Sequence, residues 1–459
     1  MSKSTGFQYA AFSLDPAIDR AVHPSRRRVQ ARSTWHARLL VAILLMAAAS
    51  LSAFGEIVTF PDPNCEAAVR YTLHIPPPTP ITSQDMEFMD VWWMGPGINS
   101  LEGFQYARGA WEVYMYDNYI EDLSPLSGMN QLAFLWASGN RISNLSPLSG
   151  LPRLCDLDLN NNRVADLSPL SSLPSLHILF LEGNPVSDIS PLSSLTHLGW
   201  LNIARTNVSD LSPLSNLVNL KELFASNIPA RDFSAISNLT ALEDLGLDSS
   251  GVSDLSFTAP LSSLRYLYVN DNQVSDLTTL PALPSLWWLE ADNNGIQDCS
   301  PLTRQANLAL LFLRNNRISD LSFAETLPIL RELRISGNEV SDLSPLANVE
   351  DLFWLEANDN FISDLSPLAG LHGPRRIEVR NNNISDIAAL KDYTWLYTLD
   401  LRGNPLNEDA YNIWLPLLVE NNPDMVLLYD PVPEPCGMIL LAAGWICVVA
   451  RRRRKMRPV

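Results

Sequence analysis

An α/β solenoid, built from short parallel strands alternating with single 3₁₀ turns, is what this 459-residue sequence predicts. Three observations carry the prediction. A phrase of leucines, an asparagine, an aspartate and a Ser-Pro returns every 22 residues. Apolar and other side chains alternate with period two through "LHILFLEGN", the pattern of a strand with one buried face. The intervening D-L-S-P-L is too short for a long helix, and Ser before Pro suits a cap followed by a first helical position, so one 3₁₀ turn is expected there.

Asn162 serves as the reference position. Steps of 22 from Asn118 reach Asn140, Asn162, Asn184, Thr206, Ile228, Ser250, Asn272, Asn294, Asn316, Asn338, Asn360, Asn382 and Asn404. These fourteen units contain no insertion or deletion, and a degenerate fifteenth precedes them around Pro96. Eleven of the fourteen hold Asn, so the residue has a structural task. Its amide is expected to leave the strand inward and bond backbone groups of adjacent coils. No coil can bury its own apolar face, so each needs neighbours and the end coils need caps. Fifteen strands spaced about 4.8 Å apart give a sheet on the order of 70 Å long.

The unit L-x-x-L-x-L-x-x-N-x-I followed by x-D-L-S-P-L-x-x-L resembles the leucine-rich repeat, in the 22-residue form of bacterial internalin-like proteins. The resemblance covers residues 88–406, about 15 coils. It implies a right-handed superhelix with the parallel sheet on a concave face and the 3₁₀ turns on a convex one. Before the repeats, "FPDPNCEAAVRYTL" reads as a short amphipathic helix, and it resembles the cap that precedes such repeats in secreted bacterial proteins. That places an N-terminal helical cap in residues 56–87. After the repeats, residues 407–430 form the C-terminal cap, with a helix from about Glu408 to Glu420 and a closing strand; Trp414, Leu415 and Leu418 cover the last coil.

Both ends lie outside this scheme. Residues 1–55 form a leader whose apolar core, 39–53, follows an arginine-rich stretch and precedes small residues, the shape of a secretory signal peptide. Residues 431–459 join Val432-Pro433-Glu434-Pro435, an apolar run at 436–450 and an arginine cluster. These three parts, in order, resemble the PEP-CTERM sorting signal. The resemblance implies a short transmembrane helix, transient inner-membrane anchoring, cleavage by an exosortase-type protease, and an exported product at the cell surface or beyond it.

The net charge of −18 conceals a division: each end carries +5, which leaves −28 for residues 56–430. So acidic a body excludes nucleic acid as a partner, since phosphate contacts need clustered Lys and Arg. The five cysteines form no CxxC or Cys/His cluster, so no metal site is indicated. Cys65, Cys155 and Cys299 read as small hydrophobes in a repeat or cap. No nucleophile elbow, phosphate-cradling glycine loop or contrasting carboxylate pair occurs, so neither catalytic residues nor cofactors are expected and the protein is not read as an enzyme.

Thirteen units place Asp or Asn four residues after the reference: Asp122, Asn144, Asp166, Asp188, Asp210, Asp232, Asp254, Asp276, Asp298, Asp320, Asp342, Asp364 and Asp386. This column is either a cation-binding stripe or a set of turn caps accepting backbone N–H groups. The absence of a glycine-rich calcium repeat favours caps.

The residues between the buried leucines point outward and vary. Among them are Trp92, Tyr114, Tyr116, Phe134, Trp136, Phe180, Trp200, Tyr266, Tyr268, Trp288 and Trp354, with Phe224 and Phe312. These aromatics are expected to be densest from Trp92 to Trp136. Acids stand between them, including Glu112, Asp156, Asp158, Glu182, Glu222, Asp244, Asp248 and Glu290, whereas arginines appear only late, from Arg314. Coil stacking does not require an exposed aromatic row, and Tyr and Trp are common interface anchors. The expectation is a face that binds an extracellular ligand, a basic protein or a glycan. The competing expectation is strand propensity alone, in an envelope or matrix component with no specific ligand.

Overall fold

The computed structural model describes residues 55–431, except 88, 90, 94 and 372, and of residues 91–93 it describes the backbone alone. The signal peptide, the Val432-Pro433-Glu434-Pro435 motif and the short C-terminal apolar run lie outside the described residues. Among the described residues, no helix is long and apolar enough to cross a membrane.

Sixteen parallel strands form one sheet in strict sequence order. They are β1 (Val91–Trp93), β2 (Glu112–Tyr114), β3 (Phe134–Trp136), β4 (Asp156–Asp158), β5 (Ile178–Phe180), β6 (Trp200–Asn202), β7 (Glu222–Phe224), β8 (Asp244–Gly246), β9 (Tyr266–Tyr268), β10 (Trp288–Glu290), β11 (Leu310–Phe312), β12 (Glu332–Arg334), β13 (Trp354–Glu356), β14 (Arg376–Glu378), β15 (Thr398–Asp400) and β16 (Val426–Leu428). Fifteen strands belong to coils and β16 to the C-terminal cap. The register Asp156↔Ile178, Leu157↔Leu179, Asp158↔Phe180 is typical: equivalent residues of successive coils stand side by side. Each row of side chains is therefore a column of the repeat.

The middle residue of each strand points inward, as do the leucines and isoleucines of the turn. In one coil Leu176, Leu179, Leu181, Val186, Ile189 and Leu192 are all buried, and every other coil adds its counterparts to the same continuous core. Losing one such leucine typically costs about 2–5 kcal/mol, so the period is defended at many points per coil.

The asparagine column is the polar part of this core. Asn162 Oδ1 accepts the Ile142 N–H at 3.0 Å, and its Nδ2 donates to Ala137 O at 2.8 Å, both in the preceding coil. The same Nδ2 donates to Leu159 O at 3.0 Å in its own coil. Asn140, Asn184, Asn316, Asn338, Asn382 and Asn404 repeat the arrangement. Three consecutive coils depart from it. Thr206 reaches only Ile203 O of its own coil, Ile228 is buried without a polar side chain, and Ser250 donates back to Ala225 O.

A second column was not anticipated. The residue before each reference position has positive φ: Asp117, Gly139, Asn161, Gly183, Arg205, Asn227, Ser249, Asp271, Asn293, Asn315, Gly337, Asp359, Asn381 and Gly403. Each strand is left through one left-handed residue, which explains the Asn, Asp and Gly enrichment there. At Gly139 a Cβ would also lie 2.4 Å from Asp117 Oδ1 in the coil before.

A 3₁₀ turn opens at Ser168, as expected, and its equivalents recur along the solenoid. The serine is inside the turn, however, and does not cap it. Its N–H needs an acceptor, which Asp166 Oδ1 supplies at 2.8 Å. Between β9 and β10, where Thr278 and Thr279 replace Ser-Pro, there is a plain turn.

The first coil is covered by α1 (Pro63–Leu73) and α2 (Ser83–Glu87). Asp62 joins cap to coil. Its Oδ1 accepts Asn64 N–H at 2.8 Å at the start of α1, and its Oδ2 accepts Asn99 N–H at 2.6 Å in the first coil. At the other end, a π-helical turn (Ala410–Trp414) leads into α3 (Leu415–Asn421), which buries Leu415 and Leu418. Cys65 and Cys299 are buried in the apolar core, and Cys155 is half-buried; all three are free thiols.

An unsatisfied buried polar group costs roughly 1–3 kcal/mol. Asn162→Ala strands the Ile142 N–H and leaves the Ala137 and Leu159 carbonyls only the amides of Asn140 and Asn184, so it should lower stability by about 1–3 kcal/mol in urea unfolding. Thr206→Ala, which removes one bond within a single coil, should cost less than half of that. Equal losses would mean that coupling between coils does not run through the asparagines.

Candidate binding face

Three rows face outward from the sheet: the first and third residue of each strand, and the residue two beyond it. From β2 to β10 these rows hold nine acids and no Lys or Arg. From β11 to β15 they hold four acids and five arginines. Two halves of one face thus differ in kind.

In the second half the charges are internally matched. Arg314 forms a two-point ion pair with Glu356, at 2.9 and 3.0 Å, and also meets Asp292 at 2.9 Å. Arg334 pairs with Glu332. Its guanidinium lies 4.0 Å from the Phe312 ring and 4.1 Å from the Trp354 ring, and Arg376 stacks 4.0 Å from Trp354. Trp288 joins this stack to Tyr266 and Tyr268 through edge-on ring contacts of 5.5 Å to Phe312, 6.3 Å to Tyr266 and 5.8 Å to Tyr268. The longest run of ring contacts among the described residues therefore spans β9–β13 and not the N-terminal strands.

In the first half, Tyr114 and Trp136 meet edge-on at 4.8 Å. Tyr116 and Trp136 are exposed, at 41% and 38%. Phe134, Phe180, Trp200 and Phe224 are half-buried on the same rows, with Gly246 leaving room for the Phe224 ring. Trp92 lies in β1, whose side chains are outside the described residues. Sequence reasoning missed the position just before each strand, where Trp111, Trp287, Phe353 and Tyr397 flank the face. Trp111 packs edge-on against Phe134 at 5.7 Å, and Trp287 packs against Tyr266 at 6.1 Å. The signal was in the sequence, one residue N-terminal to the rows that were read.

The acids of the face and those of the turns are driven in opposite directions. Burial pushes the carboxyls of Asp156 and Asp244 up to about 7 and that of Asp248 to about 6. At Asp156 the Trp136 indole opposes the rise by donating a hydrogen bond, and at Asp244 the neighbouring Glu222 adds to it. One oxygen of Asp156 and one of Asp244 has no hydrogen-bond partner. The turn column behaves otherwise. All thirteen of its side chains accept the backbone N–H two residues on, from Asp122–Ser124 to Asp386–Ala388. Those bonds hold Asp166, Asp188 and Asp342 below the usual carboxylate range. The column is a set of caps, and among the described residues no group of His, Cys, Asp or Glu is placed to hold a metal.

The pH dependence follows from these directions. An unfolded aspartate ionises near 3.8, whereas Asp156 and Asp244 do so at about 7 when folded. Between those values unfolding releases protons, so stability falls as pH rises through the window and is level above it. The capping aspartates act only at the acid side of it, where protonation removes their contribution. Asp156→Asn with Asp244→Asn should raise the melting temperature at pH 8 by about 2–4 °C and at pH 5 by roughly a third as much. An equal shift at both pH values would show that ionisation is not the cause.

Comparison with known proteins agrees with this architecture. The family model described as "Leucine Rich repeats (2 copies)" matches residues 152–194 and 306–348. Among curated proteins none matches the chain. The internalin InlF of Listeria monocytogenes is similar at 27% identity and a TM-score of 0.63, over 76% of this chain and 98% of that one. The functional domain of InlJ from the same species, which includes a cysteine ladder, superposes at 18% identity and a TM-score of 0.64, over 81% and 80%. The Arabidopsis receptor kinase HAESA, solved with the peptide hormone IDA and the co-receptor SERK1, shares the fold at 18% identity and a TM-score of 0.50, over 71% and 68%. With its all-parallel sheet, one strand per coil, and its regular 3₁₀ turns, the chain is a leucine-rich repeat solenoid similar to the internalins.

Proposed function

We propose that the protein is an exported binding module that recognises an extracellular protein through the outward face of its sheet. The observation that carries this reading is the first half of the face: nine acids interleaved with aromatic rings and without a Lys or Arg on the same rows. Of the nine, Asp292 meets Arg314 and Glu182 meets Arg205 at 3.7 Å; the others repel one another on a fixed scaffold and gain from a cationic partner, which favours a basic protein over a neutral glycan. Half-exposed Tyr and Trp supply apolar contact area with little rotamer entropy to lose. The receptor kinase HAESA, similar in fold and seen with a peptide hormone, is consistent in kind. Export rests on the N-terminal apolar run and on the C-terminal sorting motif, whose processing would need an exosortase-type protease. The alternative is an envelope or matrix component with no specific ligand.

Two measurements test the reading. Full-length protein applied to arrays of basic proteins, acidic proteins and glycans should be retained by the basic set, in a salt-sensitive manner. Tyr114→Ala with Trp136→Ala should weaken that retention at least 10-fold, with an unchanged circular dichroism spectrum. Retention by glycans alone, or by nothing, would overturn protein recognition. Separately, the intact mass of the native protein should lack both ends, and the protein should fractionate outside the inner membrane. A retained C-terminus in the inner membrane would remove the sorting reading.

A further inference from the structure

The face contains its own example of how it handles a guanidinium. In the second half, Arg334 lies between the rings of Phe312 and Trp354, with Glu332 as its ion-pair partner and Glu356 close by. The first half has the same materials without the arginine. Tyr114 and Trp136 are register neighbours in β2 and β3, their ring planes 87° apart, so that they form a corner. The Tyr114 hydroxyl donates its hydrogen to Glu112 Oε2 at 2.8 Å, and the Trp136 indole lies close enough to Asp156 for its N–H to draw that carboxyl's pKa down. A ring whose polar hydrogen is held by an anion is richer in electron density, and so attracts a cation more strongly over its face.

Two further observations point to an occupant. Asp158 stands beside Trp136 in register, half-buried at the edge of the corner. Asp156 is only 7% exposed, and one of its carboxylate oxygens has no hydrogen-bond partner. A buried anion without a compensating cation is costly, and it persists most readily where a partner supplies the missing charge. The nearest arginine on the outward rows is Arg314 in the coil of β11.

We propose that the Tyr114–Trp136 corner, with Glu112, Asp156 and Asp158 around it, receives the guanidinium of an arginine presented by a partner protein. This rests on the reading of the face as a protein-binding surface and assigns its anchoring point. A planar guanidinium stacks on a ring and bonds a carboxylate in one geometry, which an ammonium does less well. Asp158 would bond the guanidinium directly. Asp156 is a positioning residue: it acts through the indole, fixing the ring and enriching it.

The test uses full-length protein and the peptide acetyl-Gly-Gly-Arg-Gly-Gly-amide, titrated by calorimetry against its citrulline counterpart. Citrulline keeps the shape and removes the charge. The arginine peptide should bind at least 10-fold more tightly. Trp136→Ala and Asp158→Asn should each remove most of that difference, while Asp244→Asn, the same substitution four strands away, leaves it intact. Asp156→Asn should weaken binding in the native background and have no further effect once Trp136→Phe has removed the donor. An arginine peptide that does not bind, equal affinity for the two peptides, or equal losses from Asp158→Asn and Asp244→Asn would overturn the proposal. The peptide comparison on the unmodified chain needs no variant to fold. If it fails while array ligands still depend on Tyr114 and Trp136, the corner is not an arginine site and protein recognition by the face stands.

Discussion

Every coil is completed by its neighbour's asparagine. The amide of Asn162 closes hydrogen bonds on Ile142 N–H and Ala137 O, groups that belong to the coil before. Ala137 O also has the amide of Asn140 in its own coil, but the buried Ile142 N–H has no other acceptor, so the preceding coil is incomplete until the next one docks. This fixes the length of the repeat. A coil longer or shorter by one residue would move the amide off its two partners and turn the strand's alternate faces over. From Asn118 to Asn404 the spacing never varies, and the register holds at 22 residues from β2 to β15. The departures at Thr206, Ile228 and Ser250 show what is negotiable. The amide column can thin over three coils while the apolar column around it continues, with Val208, Ala230 and Val252 still buried.

That constraint acts on inward positions and leaves the outward rows free, which is why composition can change so sharply along one face. The same strand geometry carries a stack of rings and arginines over β11–β14 and an acidic stretch without Lys or Arg on the outward rows over β2–β10. In the first, Arg314 and Arg334 have acids and rings within the chain, so a charged partner would have to displace existing contacts. In the second, acids stand at register positions where Coulomb repulsion and burial both disfavour ionisation, as at Glu222 and Asp244. Stability does not explain that arrangement, because polar neutral residues at those positions would stack equally well. An arrangement that weakens the folded chain at neutral pH is most simply understood as a surface organised for contact.

How much was legible in the sequence follows the same line. The strand order, the strand positions, the asparagine ladder and the aspartate caps were all readable, because each depends on one residue type recurring at one spacing. The cap at Ser168 was assigned one step wrong: Ser-Pro resembles a helix start, but the group that reaches the first free N–H is the carboxylate two residues earlier. The left-handed column was missed because its requirement is conformational, and Asp, Asn, Gly, Arg and Ser all meet it without a shared side-chain chemistry. On the face, the list of aromatics was readable but their grouping was not. Periodicity states which residues point outward. It does not state that Trp288 bridges Tyr266, Tyr268 and Phe312, or that Arg334 inserts between two rings, since those contacts depend on rotamers chosen across three or four coils.

One residue type, aspartate, takes two roles here, and the environment alone separates them. Asp166 is exposed, accepts the Ser168 N–H and hydroxyl, and is held ionised well into the acid range. Asp156 is buried, carries an oxygen without a partner, and is pushed up to about 7. The first is a saturated group, and its neighbours leave it nothing further to bind. The second is an unsaturated one, held on a rigid strand. A cation brought to the corner would lower the carboxyl's pKa and release a proton near neutrality, even with Asp158 as its direct partner. Recognition at such a site draws on free energy that folding has left unspent, which is why the search for a ligand belongs on the sheet and not on the more conspicuous aspartate column of the turns.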